Sequence, residues 1–136
     1  MNGRAIGPDD RALIDAATRT LRRTYRKGRH TVAAAVRCPS GRIYTGINVE
    51  ACGYGPCAEP IAIGTAFTSG EREISAIVAV HRTKDGRYVV FSPCGNCRQL
   101  ICDYVPDATV IYAEGKKVLK ARARELLPGA YETHFD

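Results

Sequence analysis

Two short segments carry the residue types of a metal centre: Cys57-Ala58-Glu59 and Pro93-Cys94-Gly95-Asn96-Cys97. Zinc takes thiolate, imidazole or carboxylate ligands in tetrahedral geometry. A catalytic zinc keeps three protein ligands and one open position for water. Cys57, Cys94 and Cys97 supply three thiolates, enough for one Zn²⁺ per chain. Three thiolates against the +2 of the ion leave one net negative charge, which blunts its Lewis acidity. Each segment falls where a helix is expected to begin. Amide dipoles at a helix N-terminus favour an anion and lower a thiol pKa, so they offset that excess. Bound water then ionises near neutral pH. Glu59 stands two residues beyond a ligand. That is too close in sequence for a convenient fourth ligand and suits a proton shuttle.

Other uses of these residues are weaker. A closed four-ligand site would need Cys52, Cys102 or His81, and none of them has a second paired spacing. A redox pair at Cys94 and Cys97 would need a βαβ opening that the chain lacks. Six cysteines in a small secreted protein would suggest disulfides. Here the chain is long enough for a core of its own, so free thiols in a reducing cytoplasm are expected. Cys38 and Cys102 read as small buried hydrophobes. His81 and His134 read as surface or strand-end residues.

These residues must be positioned by a fold, and its elements are legible in outline. Pro8-Asp9-Asp10 starts a helix, with proline in the first turn and acids at its positive end. Leu13, Ile14, Ala17, Leu21 and Tyr25 form its apolar stripe, and Gly28 is expected to end it. Residues 30–37 and 42–49 read as a strand hairpin about the turn Ser40-Gly41. A helix is expected from about Cys57 to Phe67. Strands follow at 74–80 and 88–91, a helix at 95–103 and a strand at 108–112. Glu114-Gly115 then turns the chain into a tail with a short helix near Glu125-Leu126-Leu127. This order implies an α/β fold: three layers, a mixed and mostly five-stranded sheet, and helices on both faces.

Composition bounds the rest. The chain has 136 residues, 45% hydrophobic and 25% charged, which fits a single globular domain over 1–136. No run approaches the ~18 apolar residues of a membrane span. No secretory signal is visible at the start, so the expected location is the cytoplasm. Twenty basic residues against 14 acidic ones give a net charge of +6. Eight of the basic residues lie between Arg4 and Arg29 and five between Lys116 and Arg124. Their plainest reading is solvated helix faces. The chain has no tryptophan and no basic patch interleaved with stacking aromatics, which argues against nucleic acid as partner.

A first ligand, a glutamate two residues on and a later P-C-x-x-C form the known signature of zinc deaminases. The sequence resembles the cytidine deaminase family, in its small three-cysteine form, over nearly the whole chain after the first helix. Thr45-Gly46-Ile47-Asn48-Val49-Glu50 matches the family's G-x-N-x-E strand end. Gly55-Pro56-Cys57-Ala58-Glu59 and Ser92-Pro93-Cys94-Gly95-Asn96-Cys97-Arg98-Gln99 match its zinc segments, and residues 125–131 match its L-L-P-x-x-aromatic end. The loop from Asn48 to Cys57, with Gly-Pro before the ligand, is closer to blasticidin S deaminase.

The resemblance implies a zinc-dependent hydrolase that turns a free cytosine nucleoside into the uracil form with loss of ammonia. Blasticidin S or another aminated ring is the alternative substrate. It implies that Cys57, Cys94 and Cys97 bind zinc and that Glu59 moves protons. Asn48 and Glu50 would hold sugar hydroxyls, the Cys57 amide and the Ser92 carbonyl region would read the pyrimidine edge, and His30 would flank the ring. The chain would be a homotetramer serving pyrimidine salvage or drug resistance, with Tyr131 completing a neighbour's site.

Three positions depart from the family pattern. His30 replaces an aromatic residue. Pro60 replaces an arginine that offsets thiolate charge. Glu50 replaces an aromatic residue of the blasticidin enzyme. Proline also disfavours helical geometry at Glu59, so a late helix start with Pro60 in the first turn is expected.

Overall fold

The computed structural model describes residues 3–132. Its elements in chain order are β1 (Arg4–Ala5), α1 (Pro8–Thr24), β2 (Val32–Arg37), β3 (Ile43–Ile47), α2 (Ala58–Thr68), β4 (Ala76–Arg82), β5 (Tyr88–Phe91), α3 (Gly95–Tyr104), β6 (Thr109–Glu114) and β7 (Lys117–Arg122). A 3₁₀ turn at Ala123–Leu126 follows. The sheet runs β1-β7-β6-β4-β2-β3, with β5 also paired to β4. All pairings are antiparallel except β4 with β6. β4 shares one edge between two neighbours: Ala76 and Ile77 pair with β6, and Ala79 to Arg82 pair with β5.

The layered architecture agrees with the reading from sequence, but the strand count does not. The sheet has seven strands where five were expected. β7 falls in the segment expected to be tail, because its residues, Lys-Val-Leu-Lys-Ala-Arg, keep no period-two pattern. It forms because Gly115, at φ +62°, lets a two-residue turn reverse the chain after Glu114. β1 is a two-residue addition to β7. The first helix also stops earlier than expected, at Thr24. Tyr25 leaves helical geometry at ψ 131°, and the Arg82 guanidinium lies 4.6 Å from the centre of its ring. Gly28, at φ +75°, then serves a tight reversal in which Arg26 and His30 bridge.

Two cores lie on the two faces of the sheet. Leu13, Ala17 and Leu21 of α1 pack on Ala33, Ala35, Val78 and Val80. Ala58, Ala62 and Ala66 of α2 and Ile101 of α3 pack on Ala34, Val36, Ile77 and Ala79. The small residues bring α2 unusually close to the sheet. A Cβ at Gly46 on β3 would overlap the backbone nitrogen of Ala62 and sit 2.8 Å from the Ile61 carbonyl carbon. Because α2 carries Cys57 and Glu59 at its start, this contact sets the height of the site above the sheet. Gly46→Ala is therefore expected to cost about 1–3 kcal/mol by overpacking. It should also lower zinc affinity, since α2 must lift. Urea unfolding and metal titration read the two effects. An unchanged midpoint would show that the helix yields without strain.

Candidate active site

Both cysteine segments end in the same local structure. Cys57 caps α2 and Cys94 caps α3, each with extended backbone (φ −65°, ψ 167° and φ −72°, ψ 173°) after a proline. The two sulfurs thus stand at two positive helix ends. Cys97 enters from the first turn of α3 and is buried. The three Sγ atoms lie within 4.8 Å of one another. The Cys57 and Cys94 sulfurs are 3.7 Å apart. A zinc–sulfur bond of ~2.3 Å gives tetrahedral sulfur separations of about 3.8 Å, so the cluster fits zinc. Among the described residues the cluster ends at these three: Cys52, Cys102, His81 and Glu59 are outside it.

The helix ends are not electrostatically equal. Burial of the Cys94 thiol opposes ionisation, but the N–H groups of Cys97 and Asn96 and the two neighbouring thiols outweigh it, so its pKa lies below the ordinary thiol value. The Cys57 thiol goes the other way, pushed up by burial and by Cys94. A physical reason is Pro60. It is the third helical residue of α2 and has no N–H to donate to the capping sulfur. The proline does not break the helix, because the first-turn N–H groups are unpaired anyway. Helix α2 begins at Ala58, with Pro60 in its first turn as expected. Burial drives the Cys97 thiol strongly up, and the Glu59 charge adds to it. Cys38 is a core residue whose thiol burial raises, and Cys102 is half-buried beside the same core.

Glu59 is the second residue of α2 and only 5% exposed. Burial raises its carboxyl pKa, opposed by its own N–H and by Cys97. It lines a cavity of about 150 Å³ together with Cys57 and Cys94. The other walls come from Thr31 and Val32 at the start of β2, from Asn48 and Glu50 after β3, and from Phe91 at the end of β5 and Ser92 just after it.

The remaining expected residues divide. Asn48 is buried and saturated. Its Oδ1 accepts the N–H of Thr31 and Val32 at 2.8 and 3.0 Å, and its Nδ2 donates to the Arg29 carbonyl and to Glu50 Oε1, each at 3.2 Å. It anchors the strand end and aims the Glu50 carboxylate. Arg29 holds the Glu50 carbonyl at 2.8 Å. The Ser92 hydroxyl bridges the Ala113 carbonyl and N–H at 2.9 and 3.0 Å, which ties β5 to β6. His30 places Nδ1 2.9 Å from the Asn48 carbonyl and does not line the cavity. Tyr131 is 74% exposed and also away from it, its carbonyl accepting from Gln99 Nε2 at 2.9 Å. His81 packs on the Phe91 ring, centroids 4.5 Å apart, and His134 lies outside the described residues.

Two contributors carry no role in the sequence reading. Arg98 donates from Nε to the Pro93 carbonyl and from Nη1 to the Leu126 carbonyl, each at 2.9 Å, bracing the loop that presents Cys94. Its place one residue after Cys97 is the signal the sequence offers. Phe91 has the sequence signature of a strand end, with nothing in its spacing to mark it.

Comparison with known proteins agrees with this geometry. Residues 8–113 match the family described as cytidine and deoxycytidylate deaminase zinc-binding region. The chain is 37% identical over 132 residues to blasticidin-S deaminase of Bacillus cereus, covering 93% of this chain and 94% of that protein. It is 36% identical over 107 residues to a cytidine deaminase of Halalkalibacterium halodurans, covering 76% and 78%. The crystal structure of cytidine deaminase from Burkholderia pseudomallei superposes with a TM-score of 0.74 at 31% identity, over 89% of this chain and 98% of that one.

Proposed function

This chain belongs to the cytidine and deoxycytidylate deaminase family of zinc-dependent hydrolases, and on that premise we propose that it deaminates the cytosine ring of a free nucleoside, cytidine or deoxycytidine. Zinc held by Cys57, Cys94 and Cys97 supplies the Lewis acidity that makes water a nucleophile near neutral pH. The chain's own part falls to Glu59. Its carboxylate takes a proton from the attacking water and passes it to ring N3 as the water oxygen bonds to C4. The second proton of that water then travels through Glu59 to the amine. The C4–N bond breaks, ammonia leaves with the electron pair, and a C4 carbonyl remains. Glu59 supports this reading best: a buried carboxyl with a raised pKa, in one cavity wall with Cys57 and Cys94.

In this reading the Glu50 carboxylate, held in place by Asn48 in the cavity wall, meets the sugar hydroxyls, and the Cys57 amide and Ser92 carbonyl meet the ring edge. His30 acts by holding the Asn48 strand end. The functional unit is a single deaminase domain over 1–136, assembled as a homotetramer in which Tyr131 reaches a neighbouring pocket. It works in the cytoplasm, in pyrimidine salvage. Among the described residues no helix is long and apolar enough to cross a membrane.

A second reading, blasticidin S as substrate, is favoured by the long match to the Bacillus cereus enzyme and would place the chain in drug resistance. Ammonia release by the zinc-loaded protein from cytidine, deoxycytidine, cytosine, blasticidin S and adenosine separates the two. Turnover of the first two is the expected result. Turnover of blasticidin S alone would replace it with the second reading.

A further inference from the structure

We propose that Phe91 is the aromatic surface on which the substrate's pyrimidine ring stacks, a specificity-determining residue for the reaction proposed above, on which this inference rests. Phe91 is the last residue of β5 and leads directly into Ser92-Pro93-Cys94. Its strand register pairs it with Ala79, a residue of the core under α2 and α3. Directly paired residues share a sheet face, so Phe91 lies on the face that carries the three thiols. Among the described residues lining the cavity it is the only aromatic. The His81 ring supports it from one side at 4.5 Å and 41°, and 46% of Phe91 remains exposed. His30 offers no alternative surface here, because it lies outside the cavity wall with Nδ1 on the Asn48 carbonyl.

A phenyl face favours a flat π-system without reading its hydrogen-bond edge. It therefore suits a step in which polar groups elsewhere read the edge. The timing of the effect also follows. When C4 becomes tetrahedral the rest of the ring stays close to one plane, so stacking holds the bound substrate and the transition state about equally. Its loss should appear in KM and spare kcat.

The test is steady-state kinetics on whichever cytosine nucleoside the wild type turns over, with F91A, F91L and F91Y, each at full zinc content. Stacking of a base on an aromatic side chain corresponds to about 5- to 150-fold in affinity. F91A is expected to raise KM by that factor with kcat within about threefold, F91Y to restore KM and F91L to fail to restore it. Calorimetric titration of the folded protein with uridine and with 5,6-dihydrouridine, whose ring is not flat, gives a reading independent of turnover. The wild type should prefer uridine, and F91A should lose the preference. Full rescue by F91L would reduce Phe91 to an apolar filler and overturn the assignment, as would an unchanged KM or preference in F91A. A wild type that neither turns over nor binds any cytosine or uracil nucleoside would instead overturn the reading of function, and this inference with it.

Discussion

Glu59→Gln should retain zinc and fold while losing kcat by at least about 10²–10⁴-fold, the usual contribution of a positioned acid–base group. The loss is expected to be large because one carboxyl is asked to move two protons, one to N3 and one to the leaving amine. No other carboxyl of the cavity wall can substitute, since the Glu50 carboxylate is engaged by Asn48 on the sugar side. Zinc should stay because Glu59 lies outside the thiol cluster. Stability gives a second, opposite readout. Burial raises the Glu59 pKa above its unfolded value, so the folded state binds its proton more tightly than the unfolded chain does. The contribution of this one carboxyl to stability is therefore lost as pH rises from the ordinary carboxylate value, ~4.3, through the folded value. Glutamine removes that loss, and the variant should be at least as stable as the wild type at neutral pH. A variant with near wild-type turnover would sink the assignment of Glu59.

The parts of this site that were legible in the sequence are those fixed by local chemistry. Cys57 and Cys94 each follow a proline and precede a helix-forming run, and both become helix caps. Proline in the first turn of α2 was readable for the same reason: its missing N–H and fixed φ are compatible only with that turn. What escaped depends on contacts distant in sequence. β7 needed a partner strand to be a strand at all, because its own pattern is mixed. Gly28 looks like a helix end in sequence because a glycine after an apolar stripe has the same local signature whether it ends a helix or reverses a loop. His30 and Asn48 were both expected to touch substrate, yet their nearest partners are each other's backbone and strand end, and no spacing rule distinguishes these uses. Phe91 and Arg98 belong to the cavity and its surroundings through the register of β5 on β4 and through the docking of the 3₁₀ turn at Leu126, two things only tertiary structure supplies.

Cys94→Ala is expected to remove zinc and much of the fold's stability together. Of the three clustered cysteines Cys94 is the one whose thiol pKa lies below the ordinary value, so it is the readiest to bind metal near neutral pH. Without it, Cys57 and Cys97 remain as thiols that burial pushes toward the protonated state. Two reluctant ligands cannot close a tetrahedral site, so zinc content should fall to near zero after dialysis. The energetic consequence follows from linkage. An ion present at a thousand times its dissociation constant stabilises the folded state by about 4 kcal/mol, and that contribution disappears with it. The loss should be felt most where α2 and α3 meet, because their starts are joined through these sulfurs. Cys102→Ser is the matching control. It removes a thiol from the same helix, outside the cluster, and should keep full zinc with only a small change in unfolding midpoint. Metal analysis and urea unfolding of both variants decide the point. Full zinc in Cys94→Ala would contradict the ligand set, and equal zinc loss in Cys102→Ser would show that the metal responds to helix packing and not to the sulfur itself.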